Sequence, residues 1–161
     1  MEHTDGFSHT DKRGKARMVD VSQKDASIRT ARARGFIRLN PPIIEKITTN
    51  QLKKGDVLSV ARIAAISAAK KTWELIPLCH QVRLTFVGIE FRILNEKNSI
   101  EAIATAKGAD RTGVEMEALT AVSISLLAIY DMCKAMSKEL RIEGIELLEK
   151  SGGRSDYKKP G

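Results

Sequence analysis

Aromatic side chains are scarce in this chain: one Trp, two Tyr and four Phe amount to 4% of 161 residues. So small a set gives little to stack bases on, and neither Phe86 nor Phe91 sits in the aromatic pattern of an RNA-recognition strand. Cysteine is equally sparse. Cys79 and Cys133 lie 54 positions apart, which is neither zinc-ligand spacing nor a disulfide scaffold, so two buried free thiols in a reducing compartment are expected. Long apolar runs are absent as well. The longest, Ala118 to Tyr130, is interrupted by Thr120, Ser123 and Ser125 and falls short of the roughly 20 residues that a bilayer span requires. The first residues, with Glu2, His3 and Asp5 and no apolar segment, do not read as a secretory signal, and a cytoplasmic protein without a membrane partner is the expectation.

What is present is ordinary globular material, 42% hydrophobic and 29% charged, on a chain long enough for one core. The net charge of +7 is unevenly placed. Residues 1 to 34 carry 8 Lys/Arg against 5 Asp/Glu and residues 149 to 161 carry 4 against 2, whereas the middle is nearly balanced at 15 against 13. Basic ends serve as solubilising tails, or they close on an anion. Residues 1–17 and 151–161 lack an apolar period and are expected to be flexible arms flanking a single domain over 18–150.

Within that domain, Phe36 to Leu39 alternates as a short strand does, and Asn40-Pro41-Pro42 ends it ahead of a short helix from Pro42 to about Asn50. Asp56 is placed to cap a helix running to Leu75, with Val57, Val60, Ala61, Ala64 and Ala68 at helical spacing and Pro77 beyond its end. Leu84 to Leu94 and Ser99 to Ala106 read as a hairpin around Asn95-Glu96-Lys97-Asn98. Thr112-Gly113-Val114-Glu115 matches a capping box, opening a helix to about Lys138 that is apolar on nearly every face and so must be buried. Leu140 to Leu148 supplies the last strand. The order strand, helix, strand, strand, helix, strand predicts an α+β, ferredoxin-like βαββαβ plait: an antiparallel sheet with helices on one face. No internal repeat is evident.

Several side chains carry chemistry. Asp131 and Lys134, three apart on an apolar helix, predict a buried or half-buried ion pair, which is either purely structural or a lysine held ready for proton transfer. Lys54 stands beside Lys53 and Gly55 at a helix entrance, a place that favours anions, although the surrounding glycines of a phosphate loop are missing. His80 lies in a connecting loop next to Cys79, without a second nearby ligand for a metal. Glu115 and Glu117, two apart on a helix, are expected to face different directions. Glu117 and Asp131 are fourteen apart on that helix, about 21 Å at a 1.5 Å rise, too far to share one small substrate within one chain. If both act together, two subunits must meet, and an antiparallel helix pair across a dimer would bring them together.

These residues fall in six blocks: Met18-Val19-Asp20-Val21-Ser22, Lys54-Gly55-Asp56-Val57, residues 73–80, residues 112–120, Ile129-Tyr130-Asp131-Met132-Cys133-Lys134, and Lys150-Ser151-Gly152-Gly153. In content and order they closely resemble the MoaC family, the cyclic pyranopterin monophosphate synthases of molybdenum cofactor biosynthesis. The resemblance implies a lyase that rearranges a cyclised dihydroguanosine triphosphate, made by an upstream radical enzyme, into a pterin with a cyclic phosphate while pyrophosphate leaves. It makes Asp131, Lys134 and Lys54 the catalytic residues. Leu78, Cys79, His80, Glu115, Met116 and Glu117 become pocket residues, with Lys24, Arg29, Lys150 and Arg154 directed to the triphosphate. It further implies a homohexamer built as a trimer of dimers with the site at a subunit interface, no nucleic-acid partner, and no required cofactor, with Mg²⁺ an optional companion of the triphosphate. Arg111 and Arg154 stand where the family commonly has lysine, and Gln81 where proline follows the histidine. Arginine binds phosphate well and rarely acts as a base, so proton transfer is assigned to neither. Two readings from other classes stay open on the residues alone: a basic RNA-binding plait and a purely structural oligomer.

Overall fold

The computed structural model describes His9, residues 14–52 and residues 55–160. Five antiparallel strands form one sheet in the order β2-β3-β1-β4-β5. The strands are β1 (Ser27–Arg38), β2 (Leu84–Leu94), β3 (Ser99–Asp110), β4 (Arg141–Ser151) and β5 (Tyr157–Lys158), and the helices are α1 (Pro41–Thr48), α2 (Val57–Ala69), α3 (Thr72–Leu75) and α4 (Glu115–Cys133). The first four strands keep the plait order, with α2 and α4 packed together on one face.

β1 is much longer than the expected Phe36–Leu39 segment, and its earlier half was concealed by composition. Between Ala31 and Arg38 small apolar residues alternate with arginines: Ala31, Ala33 and Ile37 are fully buried beneath the helices, while Arg32, Arg34 and Arg38 stand on the opposite face. There Arg32 meets Glu149 at 3.1 Å, Arg34 meets Glu146 at 2.7 Å, and Arg38 pairs with Glu143. Each such partly exposed pair contributes little alone, but together they fix the β1–β4 register. Glu101 of β3 is buried between Arg34 and Arg92 on the same face.

Alanines meet in the middle of the layer between sheet and helices, flanked by larger aliphatic side chains such as Ile37, Ile100, Leu126 and Ile129. Ala31, Ala33, Ala102, Ala104 and Ala106 of the sheet face Ala61, Ala65, Ala69, Ala118 and Ala121 of the helices, all at 2% exposure or less. Gly35 marks the closest approach of α4: a Cβ there would lie 2.9 Å from Leu126 Cδ1 and from Val122 Cγ1.

Three helix boundaries depart from expectation. Asp56 caps α2 by accepting the Ser59 backbone N–H at 3.0 Å, as anticipated. The helix nevertheless stops at Ala69, because the Thr72 hydroxyl donates to the Ala69 carbonyl at 3.0 Å and Lys71 leaves helical geometry, so the stretch to Leu75 is a separate short turn. The capping box does not form. Val114 occupies the cap position with no side-chain hydrogen bond, since the Glu115 carboxylate instead accepts from Lys150 Nζ at 3.0 Å. α4 then ends at Cys133, short of Lys138. α4 is long and apolar enough for a membrane on length and composition alone, yet it is the helix that covers the sheet. Beyond β4 the chain turns at Gly152 and returns as β5, pairing with Glu149 and Lys150, so the segment read as an arm carries a strand.

Candidate active site

At one end of the sheet, the start of β1, the end of β3, the end of β4 and the entry to β2 converge on the first turn of α4. They enclose a cleft of about 510 Å³. Ten of the residues predicted for the site line it. The loop before β2 supplies Leu78, Cys79 and His80, the first turn of α4 supplies Glu115, Met116 and Glu117, the approach to and start of β1 supply Lys24 and Arg29, and the end of β4 with the turn beyond it supplies Lys150 and Arg154. Arg111 adds a further cation from the loop between β3 and α4.

Glu115 and Glu117 both reach this cleft despite their two-residue spacing. Glu115 is the first helical residue, where no preceding turn constrains its side chain, and it leans back to Lys150. Glu117 is almost entirely buried, at 4% exposure. Burial pushes its carboxyl up to about 7; a hydrogen bond from its own backbone N–H opposes the rise and the Glu115 charge adds to it. A carboxylic acid poised at neutrality is suited to give or take a proton. The Cys79 thiol is raised too, by burial and then by the Glu117 charge, which favours its protonated form.

Asp131 and Lys134 lie elsewhere, at the far end of α4. Their ion pair forms, at 2.6 Å, but it is exposed in the chain, with 61% and 58% of the two side chains open to solvent, rather than buried or half-buried. The apolar sequence around them points its bulk inward at Ile129 and Cys133 and leaves this pair on the outer face. The hydrogen bond to Asp131, and then its charge, holds the Lys134 ammonium above the ordinary lysine range. Lys54 lies outside the described residues. Sequence reasoning missed the apolar side of the cleft, Val19, Val21 and Val82, and with it Thr30. Val19 and Val21 alternate around Asp20, a strand-like signal set in otherwise polar sequence.

The architecture is a helix-backed antiparallel sheet of the ferredoxin-like plait, with lysines, arginines and two glutamates gathered in one cleft at its strand ends. The chain belongs to the MoaC family, whose pattern matches residues 18–153. It is 49% identical over 149 residues to the cyclic pyranopterin monophosphate synthase of Roseiflexus sp. (strain RS-1), covering 92% of this chain and 94% of that one. It is 52% identical over 151 residues to the molybdenum cofactor biosynthesis protein moc-5 of Caenorhabditis elegans, covering 94% of this chain but only 25% of that much longer relative. Among solved structures, the ferredoxin protease FusC in complex with Arabidopsis ferredoxin matches with a TM-score of 0.33 and 11% identity, over 70% of this chain and 10% of that one. So distant a likeness carries no argument.

Proposed function

We propose that this protein is a cyclic pyranopterin monophosphate synthase, a phosphorus–oxygen lyase that converts a cyclised dihydroguanosine triphosphate to cyclic pyranopterin monophosphate and pyrophosphate. The observation that carries the reading is the cleft itself. Lys24, Arg29, Lys150 and Arg154 border the same space as the near-neutral Glu117. Forming the cyclic phosphate requires a hydroxyl oxygen to bond to the nearest phosphorus while that phosphorus releases pyrophosphate. The cations stabilise the departing charge, and the hydroxyl proton passes to a base. Leu78, Cys79 and Met116 supply the apolar contacts for the ring system, with His80, Glu115 and Glu117 as its polar partners. No cofactor is required in this reading, and Mg²⁺ is an optional companion of the triphosphate.

Asp131 and Lys134 complete the site from a second copy. Met116, Ser123, Leu127, Asp131 and Lys134 succeed one another along the outer face of α4, and Leu127 together with Ile63 of α2 leaves large apolar surface open, at 52% and 67% exposure. Two such faces packed antiparallel bring the Asp131–Lys134 end of one chain over the cleft of the other, and three such dimers make the hexamer. Lys134 is the principal proton shuttle in this reading, and Asp131, paired with it at 2.6 Å, orients it. Lys54 is the remaining catalytic lysine in this reading. The RNA-binding alternative gains no support from the open face of the sheet, where Arg32, Arg34 and Arg38 are each paired with a glutamate.

The test is to add purified protein to the cyclised triphosphate generated from GTP by the upstream radical enzyme, and to follow pyrophosphate together with the pterin by mass. Stoichiometric appearance of both supports the synthase reading. Appearance of neither, from folded protein, overturns it.

A further inference from the structure

Asp110, the last residue of β3, lies beneath the cleft without lining it. Its carboxylate bridges two segments of backbone. One oxygen, Oδ2, accepts the Arg83 N–H at 3.0 Å at the entry to β2; the other, Oδ1, accepts the Arg111 N–H at 2.8 Å at the start of the loop into α4. The first segment continues back to His80, Cys79 and Leu78, and the second forward through Thr112 and Gly113 to Glu115, so the two opposite walls of the cleft are joined through one side chain.

The surrounding contacts make the junction tight. Ala109 N–H donates to the Arg83 carbonyl at 3.2 Å, and Arg83 Nη2 returns a bond to the Ala109 carbonyl at 3.4 Å. β2 and β3 fall out of register between Leu84 and Phe86, and the Asp110 carboxylate provides the acceptor for the Arg83 N–H there. Gly108, one rung earlier, has no room for a side chain: a Cβ would lie 3.0 Å from the Arg83 carbonyl oxygen and from Val114 Cγ1. The carbonyls of Asp110 and Arg111 both face Arg29, accepting from Nε and Nη2 at 3.4 Å each. The position of this cleft cation therefore depends on where the Asp110–Arg111 peptide is held. The two N–H donors also keep the Asp110 carboxyl below the ordinary carboxylate range, Arg83 being the larger cause.

We infer that Asp110 is a positioning residue for the substrate, clamping the His80 wall to the Arg111 wall and fixing the Arg29 guanidinium where phosphate binds. Only a carboxylate offers an acceptor to each of two amides in this geometry. Asparagine keeps one acceptor and turns an N–H₂ toward the other amide, and alanine keeps neither. The groups that transfer protons are not touched by Asp110, so its loss acts on substrate binding and not on the chemical step.

The inference rests on the synthase reading, and the experiment separates the two. Steady-state turnover of the cyclised triphosphate and calorimetric binding of pyrophosphate are measured for wild type, Asp110→Asn and Asp110→Ala. The expected result for alanine is a KM and a pyrophosphate Kd raised about tenfold, the order expected from losing exposed charge-assisted hydrogen bonds, with kcat within about twofold. Asparagine falls between alanine and wild type, and it carries the test if the alanine variant does not fold. KM and Kd within about twofold of wild type in both variants, or a fall in kcat at unchanged KM, overturn the assignment. A wild-type enzyme that binds pyrophosphate but makes no pterin overturns the synthase reading instead, while the pyrophosphate affinities still judge the clamp.

Discussion

Replacing Glu117 by glutamine removes a carboxyl titration that burial has moved toward neutrality, and the consequence for stability is calculable with its sign. The carboxyl has an ordinary value of 4.5 and stands at about 7 in the folded chain. Below the lower value both folded and unfolded chains hold the proton, and stability does not depend on this group. Between the two values the unfolded chain releases the proton while the folded chain keeps it, so rising pH draws the equilibrium toward unfolding. The full span corresponds to about 3 kcal/mol of lost stability by pH 8, an upper figure because the carboxyl borders a solvent-filled cleft. Glutamine has nearly the same shape and does not ionise. Glu117→Gln should therefore match wild type near pH 4 and exceed it by about 2 to 3 kcal/mol at pH 8, a gain of several degrees in Tm for a domain of this size. Urea unfolding at fixed protein concentration, in half-unit steps of pH, reads this directly. Asp20, Asp56, Asp110, Glu143 and Glu146 are shifted the other way, each stabilising as pH rises, but they are common to both proteins and cancel in the difference. A wild-type-minus-variant curve that stays flat from pH 4 to 8, or that favours wild type at high pH, refutes the reasoning.

Lys134→Ala should leave stability within about 0.5 kcal/mol, as expected for an exposed side chain, while abolishing pyrophosphate release; persistence of normal turnover removes Lys134 from the mechanism. Mixing Lys134→Ala with Glu117→Gln, each inactive alone, should restore about a quarter of wild-type activity after subunit exchange if sites form across a two-fold, because half the dimers are mixed and each then has one intact site. No recovery, with exchange demonstrated, places both residues in the same chain's site. Gly35→Ala forces a methyl to within 2.9 Å of Leu126 and Val122, and a thermal melt should show about 1–3 kcal/mol of destabilisation from overpacking. Gly152 has φ of +86° and its Cβ would lie 1.9 Å from the Ile28 carbonyl oxygen. Gly152→Ala should displace Lys150 and Arg154 and weaken pyrophosphate binding in calorimetry; unchanged affinity shows that the turn does not position them.

The hairpin, the Asp56 cap and the plait order were legible because they depend on local signals: turn formers at 95–98, a capping carboxylate three residues ahead of Ser59, and the alternation of strand and helix patterns. The first part of β1 was not, because Ala-Arg alternation carries little hydrophobic contrast and resembles a basic arm. Its strand character comes from a full ladder with β3 and from glutamates on β4, both far away in sequence. The capping box failed for a similar reason. Thr112 and Glu115 satisfy the local pattern, but Lys150, 35 residues on, competes for the same carboxylate. Within the site, the charged residues could be named from the family's motifs, whereas Val19 and Val21 joined Val82 there only when the fold brought the segment before β1 against the entry to β2. Asp110 carried no signal at all, since its role lies in two backbone amides.

The alanine-lined middle of the layer between sheet and helices has a consequence for how this protein can change over generations. A core of leucines and phenylalanines tolerates substitution through graded trimming and compensating enlargement, one side chain yielding volume to another. Ala33, Ala104, Ala65 and Ala118 have no smaller neighbour except glycine, which loosens strand and helix alike, and every larger residue drives the layers apart. Saturation mutagenesis should find these positions nearly frozen although none touches substrate, while each Arg–Glu rung on the opposite face of the same strands tolerates single substitution at small cost. Lineages of this fold are thus expected to diversify on the open face of the sheet around a rigid inner seam.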